Sequence, residues 1–227
     1  MPSGFAPLLG SSIGTTLGTR FVPRRVGLFG GSFNPPHRAH RALADLALGA
    51  LRLDELRWLP AGAPWQKPQE HLAPAEHRAA MVALAAEGEP RFVVDDRELR
   101  RSGPSYTLDT VNELEREIPG ALFFLIIGQD QYARLHTWHH WRELLPAVTL
   151  AVTARGGQTV RPSPAVGATW HRVEVLDLPA MDVSATRVRE MAARGEDITT
   201  MVGEPVAGYI ARHHLYSDRS SNGSDTP

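Results

Sequence analysis

The feature that most constrains this chain is one eleven-residue stretch, Gly30-Gly31-Ser32-Phe33-Asn34-Pro35-Pro36-His37-Arg38-Ala39-His40. Before it, Val26-Gly27-Leu28-Phe29 has the length and composition of a buried strand. After it, Ala42, Leu43, Leu46, Ala47 and Ala50 recur at helical spacing. Strand, glycine turn and helix, in that order, make the geometry of a phosphate site. Glycines let the backbone approach a phosphate with no Cβ in the way. The helix N-terminus offers unpaired N–H groups and a partial positive charge to an anion. The prolines delay the helix and then tolerate its first turn, so it is expected to start near Pro36 or His37. His37 and His40 then project from one face of that turn. A zinc site would need three or four ligands. The chain has no cysteine, no HExxH, no P-loop and no GxGxxG fingerprint.

Composition sets the frame for that motif. At 227 residues the chain can bury one substantial α/β core. A formal net charge of −1 argues against a general nucleic-acid binder, but leaves room for a local positive site that holds a nucleotide. The absence of cysteine excludes disulfides and thiolate metal sites. No apolar run approaches membrane-spanning length, so no membrane partner is expected. Met1 to Arg20, rich in Gly, Ser and Thr, reads as a flexible extension without a charged leader. Ser217 to Pro227 reads as a polar tail. A single domain over residues 21–216 is the expectation, in a cytoplasmic protein; a homo-oligomer is compatible with the sequence.

Along the chain, strands are expected at 56–60, 91–94, 121–128, 148–152 and 173–176, with helices over 74–87, 106–117 and 205–213. Ala121 to Gly128 is the strongest strand, apolar on both faces as the centre of a parallel sheet requires. It ends at Gly128-Gln129-Asp130, where ligands of open α/β sheets bind. Ser105 is a plausible N-cap for the third helix. Ala61 to Pro68 is too rich in proline for regular structure, and Gly156 to Gly167 has no distinct reading. Trp141 reads as core. Near the end, Asp182-Val183-Ser184-Ala185-Thr186-Arg187-Val188-Arg189 reads as a second helix start, with Ser184 as its cap.

The first motif resembles the GxFxPxHxGH signature of nucleotidyltransferases that release pyrophosphate from a nucleoside triphosphate. GGSFNPPH is most similar to the bacterial nicotinate-nucleotide adenylyltransferases. Ala39 stands where the family has glycine. Arg97 to Thr110 resembles the family's RELxRxGPSYTxDT block, and Ser184, Thr186 and Arg189 match the superfamily's ISSTxxR. The resemblance runs from about Arg24 to Tyr216.

What the resemblance implies is a doubly wound, mostly parallel sheet with helices on both faces, a three-layer Rossmann-like nucleotidyltransferase fold. It implies transfer of the adenylyl group of ATP to nicotinate mononucleotide, giving deamido-NAD and pyrophosphate. His37, His40 and Arg189 would be catalytic. Gly30, Gly31, Ser32, Phe33, Gly128, Asp130, Ser184 and Thr186 would join them in holding ATP, with Asp130 on the ribose. Lys67, Thr107 and Trp138 would face the acceptor, with Trp138 stacked on the nicotinate ring. Around Thr107 and Leu135–Trp138 the sequence offers hydroxyl and backbone donors and no acidic side chain, which favours the acid over the amide. Mg²⁺ is expected, held mainly by the ATP phosphates and water, with no protein metal ligand assigned. Adenylyl transfer to nicotinamide mononucleotide or phosphopantetheine, and a non-catalytic nucleotide sensor of the same fold, are the alternatives.

Overall fold

The structure, a computed structural model, describes residues 22–62, 72–157 and 159–217. Six strands form one sheet: β1 (Arg25–Gly31), β2 (Glu55–Pro60), β3 (Phe92–Val94), β4 (Leu122–Gly128), β5 (Thr149–Arg155) and β6 (Arg172–Leu178). Their order is β3-β2-β1-β4-β5-β6, and every neighbouring pair is parallel. The sheet is therefore wholly rather than mostly parallel. The chain winds one way from β1 and the other way from β4, so the switch point lies between these two strands. A crevice opens at their carboxyl ends.

Both central strands alternate between two cores. Val26 and Leu28 of β1, with Phe123, Leu125 and Ile127 of β4, pack on one face with α4 (Thr107–Glu117) and α6 (Trp141–Ala147). Phe29, Phe124 and Ile126 point to the other face, against Ala44, Ala47 and Leu48 of α1 (Arg38–Ala50). That two-sided burial explains why β4 reads as a continuous apolar run. A third cluster joins α2 (Ala75–Ala86) to the closing helices: Met81 packs with Val188 of α8 (Ala185–Ala193), Met201 of α9 (Thr199–Val202), and Val206 and Ile210 of α10 (Glu204–Arg212). Among the described residues no helix is long and apolar enough to cross a membrane.

The shorter helices are α3 (Arg97–Arg100), α5 (Gln129–Ala133) and α7 (Pro164–Gly167), with a 3₁₀ turn at Leu135–Thr137. α7 occupies part of the stretch that had no sequence reading; Ser163 starts it by accepting from the Val166 N–H at 3.4 Å. Trp141 is buried, as expected. Ser105, by contrast, does not cap α4. The N-cap is Tyr106, and the Ser105 hydroxyl donates to the Glu98 carbonyl at 3.2 Å. This hydroxyl serves a tertiary contact that no local pattern encodes.

Candidate active site

The site begins where β1 runs out. α1 starts one residue after His37, whose backbone is still extended as an N-cap's must be, and the Asn34–Pro35 peptide is cis. The His37 and His40 rings stack with centroids 3.7 Å apart and planes 23° apart. His40 Nδ1 accepts a hydrogen bond from the His37 backbone N–H at 3.1 Å. A neutral imidazole that accepts at Nδ1 carries its proton on Nε2. In the tautomer consistent with this bond, the His40 proton is on Nε2.

The two glycines have different reasons to be there. A Cβ on Gly30 would meet nothing within 4 Å, so this residue leaves the crevice open. A Cβ on Gly31 would come within 3.0 Å of Phe33 Cζ. Phe33, expected among the ATP contacts, has a side chain that is 1% exposed, edge-on to Phe29 at 5.4 Å and to His40 at 5.2 Å. Its ring supports the loop from beneath, and Gly31 makes room for it.

A cavity of about 250 Å³ lies at the carboxyl ends of β1 and β4. Gly30, Gly31, Ser32, Thr107, Gly128 and Trp138 all line it, six of the residues singled out from the sequence. Asp130 does not line it; it sits exposed in the first turn of α5, while Gln131 reaches the cavity. The Trp138 indole packs against the core, and its Nε1 is buried without a hydrogen-bond partner among the described residues. Tyr106 and His139 stack beside it at 4.1 Å and line the same cavity. Lys67 lies outside the described residues.

The second motif folds onto the first. Ser184 caps α8 by accepting from the Arg187 N–H at 3.2 Å, as expected. One turn on, Arg189 Nη1 donates to the Asn34 carbonyl at 2.8 Å and Nη2 to the Thr186 hydroxyl at 3.4 Å. These bonds bring the arginine to the histidine loop across 155 residues of sequence.

Two residues of the site were not found from the sequence. Glu98 of α3 lines the cavity beside Thr107 and Trp138, which qualifies the expectation of an acceptor pocket free of acidic side chains. Burial pushes its carboxyl above the usual range, opposed by the hydrogen bond it accepts from Thr110 at 2.9 Å and by the nearby Arg101 guanidinium. Arg78 of α2 is 2% exposed and, among the described residues, donates to backbone carbonyls. Helical periodicity places it on the buried face, but an arginine there reads as a break in the apolar stripe rather than as part of a site.

A chain of ion pairs links β2, α3 and α4. Arg57 joins Glu55 and Asp95 at 2.8 and 2.9 Å, Arg97 joins Asp95 and Glu117, both at 2.8 Å, and Arg101 joins Glu113 at 2.8 Å. Burial alone would raise the Asp95 carboxyl; hydrogen bonds from Arg97 and Arg57 outweigh it and hold that carboxyl below the usual range. The described residues bring no three His, Cys, Asp or Glu side chains together as a metal site.

The family model described as cytidylyltransferase-like matches residues 28–191. A probable nicotinate-nucleotide adenylyltransferase of Methylibium petroleiphilum is 52% identical over 198 residues, covering 86% of this chain and 93% of the relative. Another, from Albidiferax ferrireducens, is 48% identical and covers 85% of this chain and 98% of its own length. Among solved structures, the Plasmodium falciparum nicotinic acid mononucleotide adenylyltransferase complexed with NaAD superposes with a TM-score of 0.69. Its sequence identity is 17%, and the match covers 85% of this chain and 97% of that one. That likeness bears on the fold alone.

Proposed function

This chain belongs to the cytidylyltransferase-like nucleotidyltransferases, and within them to the nicotinate-nucleotide adenylyltransferases; from that premise we propose how its own residues carry the reaction. The enzyme transfers the adenylyl group of ATP to nicotinate mononucleotide. A phosphate oxygen of the mononucleotide attacks the α-phosphorus of ATP. The bond from that phosphorus to the bridging oxygen breaks, and pyrophosphate leaves with the electron pair. The attacking oxygen is already ionised at neutral pH, so no general base is required. Catalysis then consists of holding the two phosphates in line and stabilising the charge that develops on the leaving group.

The observation that carries this reading is the contact between the two motifs, Arg189 on the carbonyl of Asn34. It supports a single anion site built from the His40 Nε2–H, the amides at the start of α1 and the Arg189 guanidinium. Each is a donor, and none has to ionise to act. Ser184 and Thr186 present the start of α8 to the same place. Across the cavity, Thr107 and Trp138 would receive the pyridine ring, with the indole as a stacking surface. Asp130 stands close enough in sequence to Gly128 to serve the ribose from the first turn of α5, and Lys67 is proposed to face the acceptor phosphate.

A divalent ion, expected to be Mg²⁺, would arrive on the triphosphate and neutralise part of its charge. The proposed setting is the cytoplasm, with two small-molecule substrates as the partners. The test is a panel: purified protein with ATP, Mg²⁺ and, separately, nicotinate mononucleotide, nicotinamide mononucleotide or phosphopantetheine, followed by pyrophosphate release. Rapid release with nicotinate mononucleotide and slow release with the others is the expected result. No release with any acceptor, alongside measurable ATP binding, would favour the nucleotide sensor.

A further inference from the structure

Among the described residues, four of the five N–H groups of the Arg78 guanidinium donate to main-chain carbonyls. Nη1 donates to Ser32 O at 3.0 Å and to Ala61 O at 2.7 Å, Nη2 to Gly62 O at 3.3 Å, and Nε to Ala73 O at 3.1 Å. Among the described residues no carboxylate forms an ion pair with it. Burying an arginine among neutral acceptors costs desolvation that an apolar side chain of similar length would avoid. What the guanidinium supplies in return is a rigid planar fork of donors.

The four acceptors lie in the loop after β1, in the neighbouring loop after β2 and in the segment that leads into α2, and Ser32 and Ala61 both line the crevice. Ser32 follows Gly30 and Gly31 in the loop at the end of β1, the ATP side. Ala61 and Gly62 follow β2 and lead to the acceptor wall. The Ala61 N–H already donates to Gly31 O at 2.9 Å, so the β1–β2 register continues past the strand ends. Gly62 packs so tightly on α3 that a Cβ there would lie 2.1 Å from the Glu98 carbonyl. That carbonyl also holds Ser105, two residues before Thr107. Ala73, the fourth acceptor, donates its own N–H to Asn34 Oδ1 at 2.9 Å, and Asn34 is the residue that Arg189 contacts.

We propose that Arg78 is a positioning residue for adenylyl transfer, which sets the spacing between the phosphate loop at Ser32 and the acceptor wall at Gly62–Glu98. The proposal rests on the functional reading above for its effect on turnover, and on the geometry alone for its effect on the backbone. Arg78 touches neither substrate. Its loss leaves each half of the site able to bind its own ligand, but no longer places the attacking oxygen in line with the α-phosphorus. Small errors in that alignment cost on the order of 10²-fold in rate.

The experiment uses the full chain as Arg78→Met and Arg78→Lys, with three readouts. At saturating ATP and nicotinate mononucleotide, R78M should lose roughly 10²-fold in kcat, and R78K, which keeps the charge and part of the bonding, about 10-fold. Equilibrium binding of ATP alone and of the mononucleotide alone should change less than about 3-fold, a split that partial unfolding cannot produce because it would weaken all three together. Amide hydrogen exchange should speed up at residues 31–33 and 61–62 and stay unchanged in β4. If R78M does not fold, R78K at its smaller amplitude carries the same three tests. A folded variant with near-normal kcat, losses of binding equal to the loss of kcat, or unaltered exchange in both loops would overturn the proposal. If the parent protein releases no pyrophosphate, the functional reading fails, while the exchange experiment still decides the role of Arg78 in the backbone.

Discussion

The Tyr216 hydroxyl donates a hydrogen bond to Asn34 Oδ1 at 2.9 Å, joining the last turn after α10 to the histidine loop across 182 residues. Burial holds this phenol well above its usual range, which favours the protonated, donating form. The same Asn34 oxygen also accepts from the Ala73 N–H. Tyr216→Phe therefore removes one partner from the oxygen of a buried amide. We expect a loss of about 1 kcal/mol in unfolding free energy, measured by urea denaturation, with the packing of the ring retained. A stability equal to that of the parent would show that the bond contributes nothing to anchoring the loop.

His37→Ala and His40→Ala should each lower kcat by ~10²-fold or more, the usual cost of one transition-state donor, with a smaller effect on ATP affinity. For His40 the hydrogen bond at Nδ1 makes a sharper case, since it leaves Nε2–H as the acting group. Steady-state kinetics of both variants at saturating substrate check this. Turnover near that of the parent would remove the histidines from the roles assigned to them.

Selection of nicotinate over nicotinamide mononucleotide should reach ~10²-fold in kcat/KM, from two charge-assisted bonds of about 1.5–3 kcal/mol each that the amide cannot fully make. Trp138→Ala removes the stacking surface from both substrates alike, so both should weaken while their ratio changes little. Competition kinetics with the two acceptors measure the ratio directly. Equal kcat/KM values in the parent protein would point to a dual-specificity adenylyltransferase.

Glu98 makes stability depend on pH in a direction that can be stated in advance. Its folded carboxyl sits above the unfolded value because burial opposes the charge. The protonated form is thus favoured by folding, and that contribution is complete below the unfolded value of about 4.3. It is lost as pH rises through the folded value. Glu98→Gln keeps an acceptor for Thr110 and has no proton to lose. Its melting temperature should therefore match the parent near pH 4 and exceed it at pH 7 to 8. Parallel melting curves across this range would mean that Glu98 titrates as an exposed carboxylate does.

Much of this protein was decided locally and could be read from the sequence. Hydrophobic period and turn residues placed all six strands and the longer helices to within a few residues, because those signals act between near neighbours along the chain. The glycine turn, the shared face of His37 and His40 and the Ser184 cap followed from spacing that is itself local geometry, whereas Thr107 and Trp138 were singled out by the family resemblance. What the tertiary structure decided is what depends on which distant segments meet. The Phe33 ring entered the core, where Gly31 leaves space for it. Ser105 bonded Glu98 rather than capping α4. Glu98 came to line the cavity, and Arg78 became a tie between two loops. A charged residue in a sequence carries no mark of its burial. That is set by the dielectric and the partners that the folded chain brings to it, and for Arg78 those partners are carbonyls at positions 32, 61, 62 and 73, which side-chain identity does not reveal.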